Sequence, residues 1–122
     1  MTRATLPALA LLALAAHAAH AAPAKDDKTP SYHRHVAGLL SKLGCNGGTC
    51  HGAVKGQNGF RLTLFSADPV LDHERLLHEG GGRRINRIDP DASLLLLKAT
   101  ARLPHEGGRR MAIGSKEYRL VR

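Results

Sequence analysis

Cys45-Asn46-Gly47-Gly48-Thr49-Cys50-His51 holds both cysteines of the chain and places a histidine directly after the second. Two thiols followed at once by an imidazole is the arrangement that fixes haem covalently. Each thiol adds to a vinyl group of the ring, and the adjacent histidine turns beneath the ring to give iron its proximal nitrogen. The usual spacing is Cys-x-x-Cys-His. Here four residues separate the cysteines, and Gly47 and Gly48 supply the backbone freedom that a wider loop needs. Read this way, Cys45 and Cys50 are thioether anchors, His51 is the proximal iron ligand, and the cofactor is haem c.

Two other chemistries compete for the same residues. A disulfide between Cys45 and Cys50 would close a short loop in an exported protein, but it leaves His51 without a role. A zinc site could use the two thiols with His51 or His105. The adjacent Cys50 and His51 would then have to reach one tetrahedral ion, whereas haem needs them adjacent, one at the ring edge and one at the metal.

The start of the chain reads as a secretory signal. Arg3 gives the positive start, Leu6 to Ala16 form an apolar run, and Ala19-His20-Ala21 offers a small-x-small cleavage site. Residues 1–21 are therefore assigned to a signal peptide, 22–30 to a polar, Pro-bounded flexible leader, and 31–122 to one small domain. No second stretch of spanning length follows, so no transmembrane segment is expected after signal removal. The expected location is extracytoplasmic or periplasmic, where c-type haem is attached.

Aromatic residues make up only 3% of the chain and tryptophan is absent, so a domain of this size buries a thin core. A haem would supply the missing apolar mass. The formal charge of +8 is expected to become about +7 without Arg3. The basic charge reads either as solubility or as docking to acidic exported redox partners. Nucleic acid is disfavoured, because the charges are scattered and stacking residues are scarce.

The periodicity predicts short helices joined by loops. Ser31 reads as an N-cap, and Val36, Leu39, Leu40 and Leu43 fall at helical spacing, so a helix is expected over 32–43, stopped by Gly44. The alternation in Phe60-Arg61-Leu62-Thr63-Leu64-Phe65 predicts a short strand or extended segment with Phe60, Leu62 and Leu64 on one face. Further helices are expected over 72–79, 91–100 and 116–122. Leu94-Leu95-Leu96-Leu97 should be buried on more than one side, against the haem face and the first helix. All thirteen glycines follow Ala37.

For the distal side of the iron, the chain offers His33, His35, His73, His78, His105 and Met111. His105 is preferred because Leu103-Pro104-His105-Glu106-Gly107-Gly108 is a Pro-fixed turn followed by glycines, which let backbone approach a flat ring. Met111 is the alternative, and an open iron a further one. His78-Glu79-Gly80-Gly81-Gly82-Arg83-Arg84 echoes His105-Glu106-Gly107-Gly108-Arg109-Arg110, though the echo is too short for a structural repeat. The arginine pairs read either as solvated charges or as partners for haem propionates.

Together these features resemble the cytochrome c-like domain found at the front of large exported proteins of planctomycetes and related bacteria. The resemblance runs from Val36 to Val121. It rests on Gly44-Cys45-Asn46 with Cys50-His51-Gly52, Gly56-x-x-Gly59-Phe60-Arg61-Leu62-x-Leu64, Gly82-Arg83-Arg84-Ile85, Asp89-Pro90 with Ser93-Leu94-Leu95-Leu96, Pro104-His105-x-Gly107-Gly108, and Glu117-Tyr118. It implies an all-α mono-haem fold of short helices and Gly-rich loops. Relatives with a distal methionine carry it just before a proline, where this chain has Leu103-Pro104, so the resemblance makes His105 the substitute. The family pattern runs on into a Trp-Ile-x-x-Gly helix end and large downstream domains. Stopping at Arg122, this chain is expected to be a fragment or a stand-alone form with a more exposed haem.

The expected function is haem binding and electron transfer by an exported mono-haem c-type cytochrome domain, a carrier rather than an enzyme, with no catalytic residue assigned. The rivals are a five-coordinate haem peroxidase or gas sensor, and a haem-free interaction module stapled by a disulfide or zinc.

Overall fold

The computed structural model describes residues 29–122; the expected signal peptide and most of the expected leader lie outside these residues. Every regular element among them is helical. The only β pairing is one isolated bridge between Gln57 and Phe60.

The chain enters through a π-helical turn, Tyr32–Val36, which runs into α1, Ala37–Lys42. The wide turn arises because the Ser31 carbonyl accepts from both His35 N and Val36 N, at 2.9 and 3.3 Å. Ser31 occupies the cap position, but its side chain makes no capping bond. Its backbone N–H donates to His35 Nδ1 instead. Gly44, at φ +76, ends α1 in a Schellman turn: its N–H donates to Ser41 O and that of Cys45 to Leu40 O. Cys45, the first of the two cysteines, is thus placed by the helix stop itself.

Of the expected strand or extended segment, no strand forms, and the chain stays extended only as far as Thr63. Leu62 is buried, but the chain turns at Leu64–Ser66, a 3-10 turn, and leaves Leu64 and Phe65 exposed. The residues alternate as in a strand, yet no neighbouring strand pairs with them, so nothing extends the pattern past Thr63. Helix α2, Pro69–His78, starts three residues before the expected Asp72. Asp68 caps it by accepting from Leu71 N at 2.9 Å, and Pro69 sits where a missing N–H costs nothing. A 3-10 turn, Pro90–Ala92, is separated by Ser93 from α3, Leu94–Ala99, so the helix expected over 91–100 is broken in two. Helix α4, Lys116–Val121, is capped by the Ser115 hydroxyl accepting from Tyr118 N.

The buried apolar residues fall into two clusters. Leu40, Leu62 and Leu76 form one, joined by Val36, Cys45, Phe60 and Leu95. Leu96, Ala99, Met111 and Tyr118 form the other, with Leu43 and Val121 against it. Leu95 and Leu96 therefore face different clusters, as the four-leucine run led one to expect. No helix among the described residues is long and apolar enough to cross a membrane.

Candidate functional site

The loop after α1 is held by its own backbone. His51 N donates to Cys45 O at 3.0 Å and Gly52 N to Gly47 O at 3.1 Å, so the segment between the cysteines curls tightly. Gly52 has no room for a side chain: a Cβ there would lie 2.0 Å from the Asn46 carbonyl oxygen. Asn46 is fully buried and donates through Nδ2 to the hydroxyls of Ser41 and Ser66, at 2.9 and 2.8 Å. This ties the loop to α1 and to the turn at residue 66. Cys45 and Cys50 are free, half-buried thiols. Burial is the main cause that pushes the Cys45 thiol up, with the Arg110 charge opposing it.

His51 is fixed from two sides. Its Nδ1 lies 3.0 Å from the Phe60 carbonyl, which can only accept, so Nδ1 carries the proton and Nε2 keeps its lone pair. The Phe60 ring packs 4.5 Å from the imidazole, centroid to centroid. Burial lowers the affinity of His51 for a second proton; the Phe60 hydrogen bond opposes this, and the charges of His105 and Arg84 add to it. The neutral imidazole that a metal requires is the favoured form.

His105 reaches the same space from the loop after α3. The Lys98 ammonium donates to Pro104 O at 2.6 Å, and Leu103 N to Leu97 O at 3.1 Å, which pins the Pro-turn onto α3. Within the turn, His105 Nδ1 donates to Gly108 O at 2.8 Å, again leaving Nε2 free. A Cβ on Gly107 would come 2.9 Å from the His105 ring, so that glycine makes room for the imidazole itself.

The two imidazoles face each other with centroids 6.3 Å apart and planes 7° from parallel. A metal bound roughly 2.0–2.1 Å from one nitrogen of each ring, with each nitrogen about 1.15 Å from its ring centre, spaces collinear rings by roughly 6.4 Å. The centroid spacing is thus that of two imidazoles sharing one metal, and each ring is oriented by a hydrogen bond at its Nδ1. Around the pair lies a cavity of about 1040 Å³ whose lining includes Cys45, Cys50, Phe60, Leu62 and Leu95. Such a volume stands at the upper end of ligand pockets, roughly 300–1,000 Å³. Four cations, Arg83, Arg84, Lys98 and Arg110, line it against one carboxylate, Glu106, which suits an apolar ligand bearing negative groups. The residues present thus fit a haem, with thiols, imidazoles and cations on one cavity.

The other candidates lie elsewhere. Met111, 5% exposed, packs in the Leu96 cluster and does not line the cavity. His78 projects outward beside Glu74, 3.3 Å away. His73 stacks on Tyr32, with His33 edge-on to both, and His35 binds Ser31. Among the described residues, no three or more His, Cys, Asp or Glu side chains converge as a structural zinc site would require.

Sequence reasoning missed the roles of Phe60 and Arg84. The Arg84 guanidinium lies 4.4 Å over the Phe60 ring and donates to Arg75 O, Glu79 O and Gly59 O. Arg110, its counterpart in the echoed loop, reaches Leu43 O at 3.4 Å and Cys50 Sγ at 3.9 Å. The echo was the available signal: each Gly-rich loop sends its second arginine inward. No family model, no curated protein and no solved structure matches the chain.

Proposed function

We propose that this chain is an exported mono-haem c-type cytochrome domain that carries electrons. It would hold haem through thioethers at Cys45 and Cys50, with His51 proximal and His105 distal. The observation that carries the reading is the pair of near-parallel imidazoles 6.3 Å apart across a cavity that both thiols line. When bound, the haem supplies one-electron chemistry at iron. The chain's own residues supply the rest. Phe60 O and Gly108 O hold Nδ1 of His51 and His105, so both imidazoles offer Nε2. Leu40, Leu62, Leu94 and Leu95 give the cavity apolar walls, and Arg83, Lys98 and Arg110 on its lining would pair with propionates. With His51 and His105 both holding the iron of a haem, no position would be left for peroxide or a gas, which favours electron transfer. The resemblance to the planctomycete cytochrome c-like domain and the basic composition support an extracytoplasmic site and an acidic redox partner.

The test is covalent attachment. Protein made in cells with a haem-attachment system should gain the mass of one haem, keep it through extraction with acidified organic solvent, and give the pyridine haemochrome of a c-type haem. Cys50→Ser should leave at most one thioether. Haem that partitions into the solvent, or a Cys45–Cys50 disulfide in place of haem, refutes the proposal.

A further inference from the structure

Arg84 is 4% exposed, yet its three hydrogen bonds, at 2.7 to 3.0 Å, all go to neutral backbone carbonyls. Among the described residues no carboxylate pairs with it; the nearby Glu79 carboxylate instead faces Arg75, at 3.6 Å. The Glu79 charge favours the guanidinium from a distance, but burial acts against it more strongly, and an apolar residue of similar size would avoid that cost. Two of the carbonyls, Arg75 O and Glu79 O, belong to the C-terminal end of α2, where a positive charge offsets the helix dipole. Capping α2 does not by itself require the guanidinium to lie over an aromatic ring.

That ring is the one against His51. Phe60 receives the Arg84 cation on its face at 4.4 Å, packs 4.5 Å from the imidazole, and accepts the His51 Nδ1 proton through its own carbonyl. The third Arg84 bond goes to Gly59 O, the residue just before Phe60. Arg84 thus grips both the backbone and the ring of the segment that orients His51. Its donors are largely consumed by carbonyls, so it is poorly placed to bind a ligand carboxylate, unlike Arg83 and Arg110.

We infer that Arg84 is a positioning residue for the proximal ligand: it sets the plane of His51 through Phe60, and its fixed positive charge favours the reduced iron. The inference rests on the haem reading of the cavity. Oxidation adds one positive charge to the iron and its ligands, and a fixed cation nearby opposes that addition. A unit charge at about 10–12 Å, with an effective dielectric constant near 20, shifts a one-electron equilibrium roughly tenfold.

The experiment compares holoproteins carrying Arg84→Gln, Arg84→Lys, Phe60→Leu and the exposed control Arg109→Gln. Midpoint potentials come from spectroelectrochemical titration, and ligand-plane orientation from the anisotropy of the low-spin ferric electron paramagnetic resonance signal. Arg84→Gln should lower the reduced-to-oxidised ratio at fixed potential about tenfold, equivalent to ~59 mV for one electron. Arg84→Lys should recover most of that loss, Phe60→Leu should change the anisotropy, and Arg109→Gln should change neither. The inference is overturned by an Arg84→Gln protein within twofold of wild type, or by an Arg84→Lys protein that recovers nothing. Where Arg84→Gln yields no holoprotein, an unchanged anisotropy in Phe60→Leu, which keeps the three carbonyl bonds, overturns it equally. Wild type without covalent haem defeats the haem reading and this inference together. Wild type with haem and indifferent Arg84 variants defeats this inference alone.

Discussion

Gly52→Ala should be among the most damaging single-methyl additions in this protein. The added Cβ would sit 2.0 Å from the Asn46 carbonyl oxygen, 2.6 Å from its carbon and 2.9 Å from Gly47 O, where ordinary contacts begin near 3.4 Å. All three are backbone atoms of the attachment loop, so no side-chain rotation relieves the clash, and the loop must open by about 1.4 Å in a close-packed interior. Opening strains two hydrogen bonds, His51 N to Cys45 O and Gly52 N to Gly47 O. Each contributes about 1 kcal/mol, and overpacking adds about 1–3 kcal/mol. The expected loss is therefore about 3–5 kcal/mol, a large share of the roughly 5–15 kcal/mol that a domain possesses. Gly81→Ala is the control: φ is +73 but the space is open, so only backbone strain of about 1–2 kcal/mol applies. Urea titrations followed by far-ultraviolet circular dichroism measure both, and haem content per chain measures the loop. A Gly52→Ala protein as stable as Gly81→Ala, with full haem, refutes the reasoning.

His105→Ala should turn a low-spin haem protein high-spin and open it to carbon monoxide, whereas His78→Ala should leave the spectrum unchanged. Met111→Ala should also leave the spectrum alone while costing about 2–5 kcal/mol, because it empties a core position; a spectral change there would transfer the distal role to Met111. Asn46→Ala removes the donor to Ser41 and Ser66 and should cost about 1–3 kcal/mol, read as a lower urea midpoint with displaced amide resonances at Phe65 and Ser66. The Asp91 carboxyl is held below its ordinary value first by the Arg122 hydrogen bond and then by that of Tyr118. A depressed carboxyl stabilises the fold above its unfolded value of about 3.9 and loses that contribution as pH falls through the folded value. Arg122→Gln should therefore move the Asp91 titration, followed by carboxyl carbon resonances, upward; an unmoved midpoint disproves the link.

What was legible in the sequence was local. Gly44 as a helix stop, the tight loop from Cys45 to His51 and the Pro-Gly turn around His105 are each decided by neighbours within a few residues. The start of α2 is equally local: Asp68-Pro69 is a cap followed by a first-turn proline, three residues before the expected Asp72. Phe60 to Phe65 misled because alternation speaks of two faces without saying whether a partner strand exists. The echo of the two Gly-rich loops singles out Arg84, but its seat over Phe60 is not legible in the sequence. Burial of an arginine depends on which carbonyls the α2 terminus and the Gly59 turn bring together, and no pattern within one segment encodes that. Met111 was a reasonable candidate by chemistry, and only the packing of α3 against α4 puts it in the core.

The division of the apolar residues into two clusters has a consequence for how the molecule opens. Leu40, Leu62 and Leu76 hold the side of Cys45, while Leu96, Ala99, Met111 and Tyr118 hold the side from which the His105 loop leaves, and the cavity is walled mainly by the first group, with Ala99 from the second. The two sides are bridged by α1, which sends Leu40 into one cluster and ends at Leu43 against the other, by Leu95 and Leu96 of α3, and by Arg110 reaching Leu43 O, so an opening that spares these bridges frees the amides of one side before those of the other. On the proposed reading, a haem anchored to Cys45, Cys50 and His51 on one side and to His105 on the other would act as a keystone. It would tie the two sides into one opening unit, and protection should rise most in the His105 loop, far along the chain from the two cysteines.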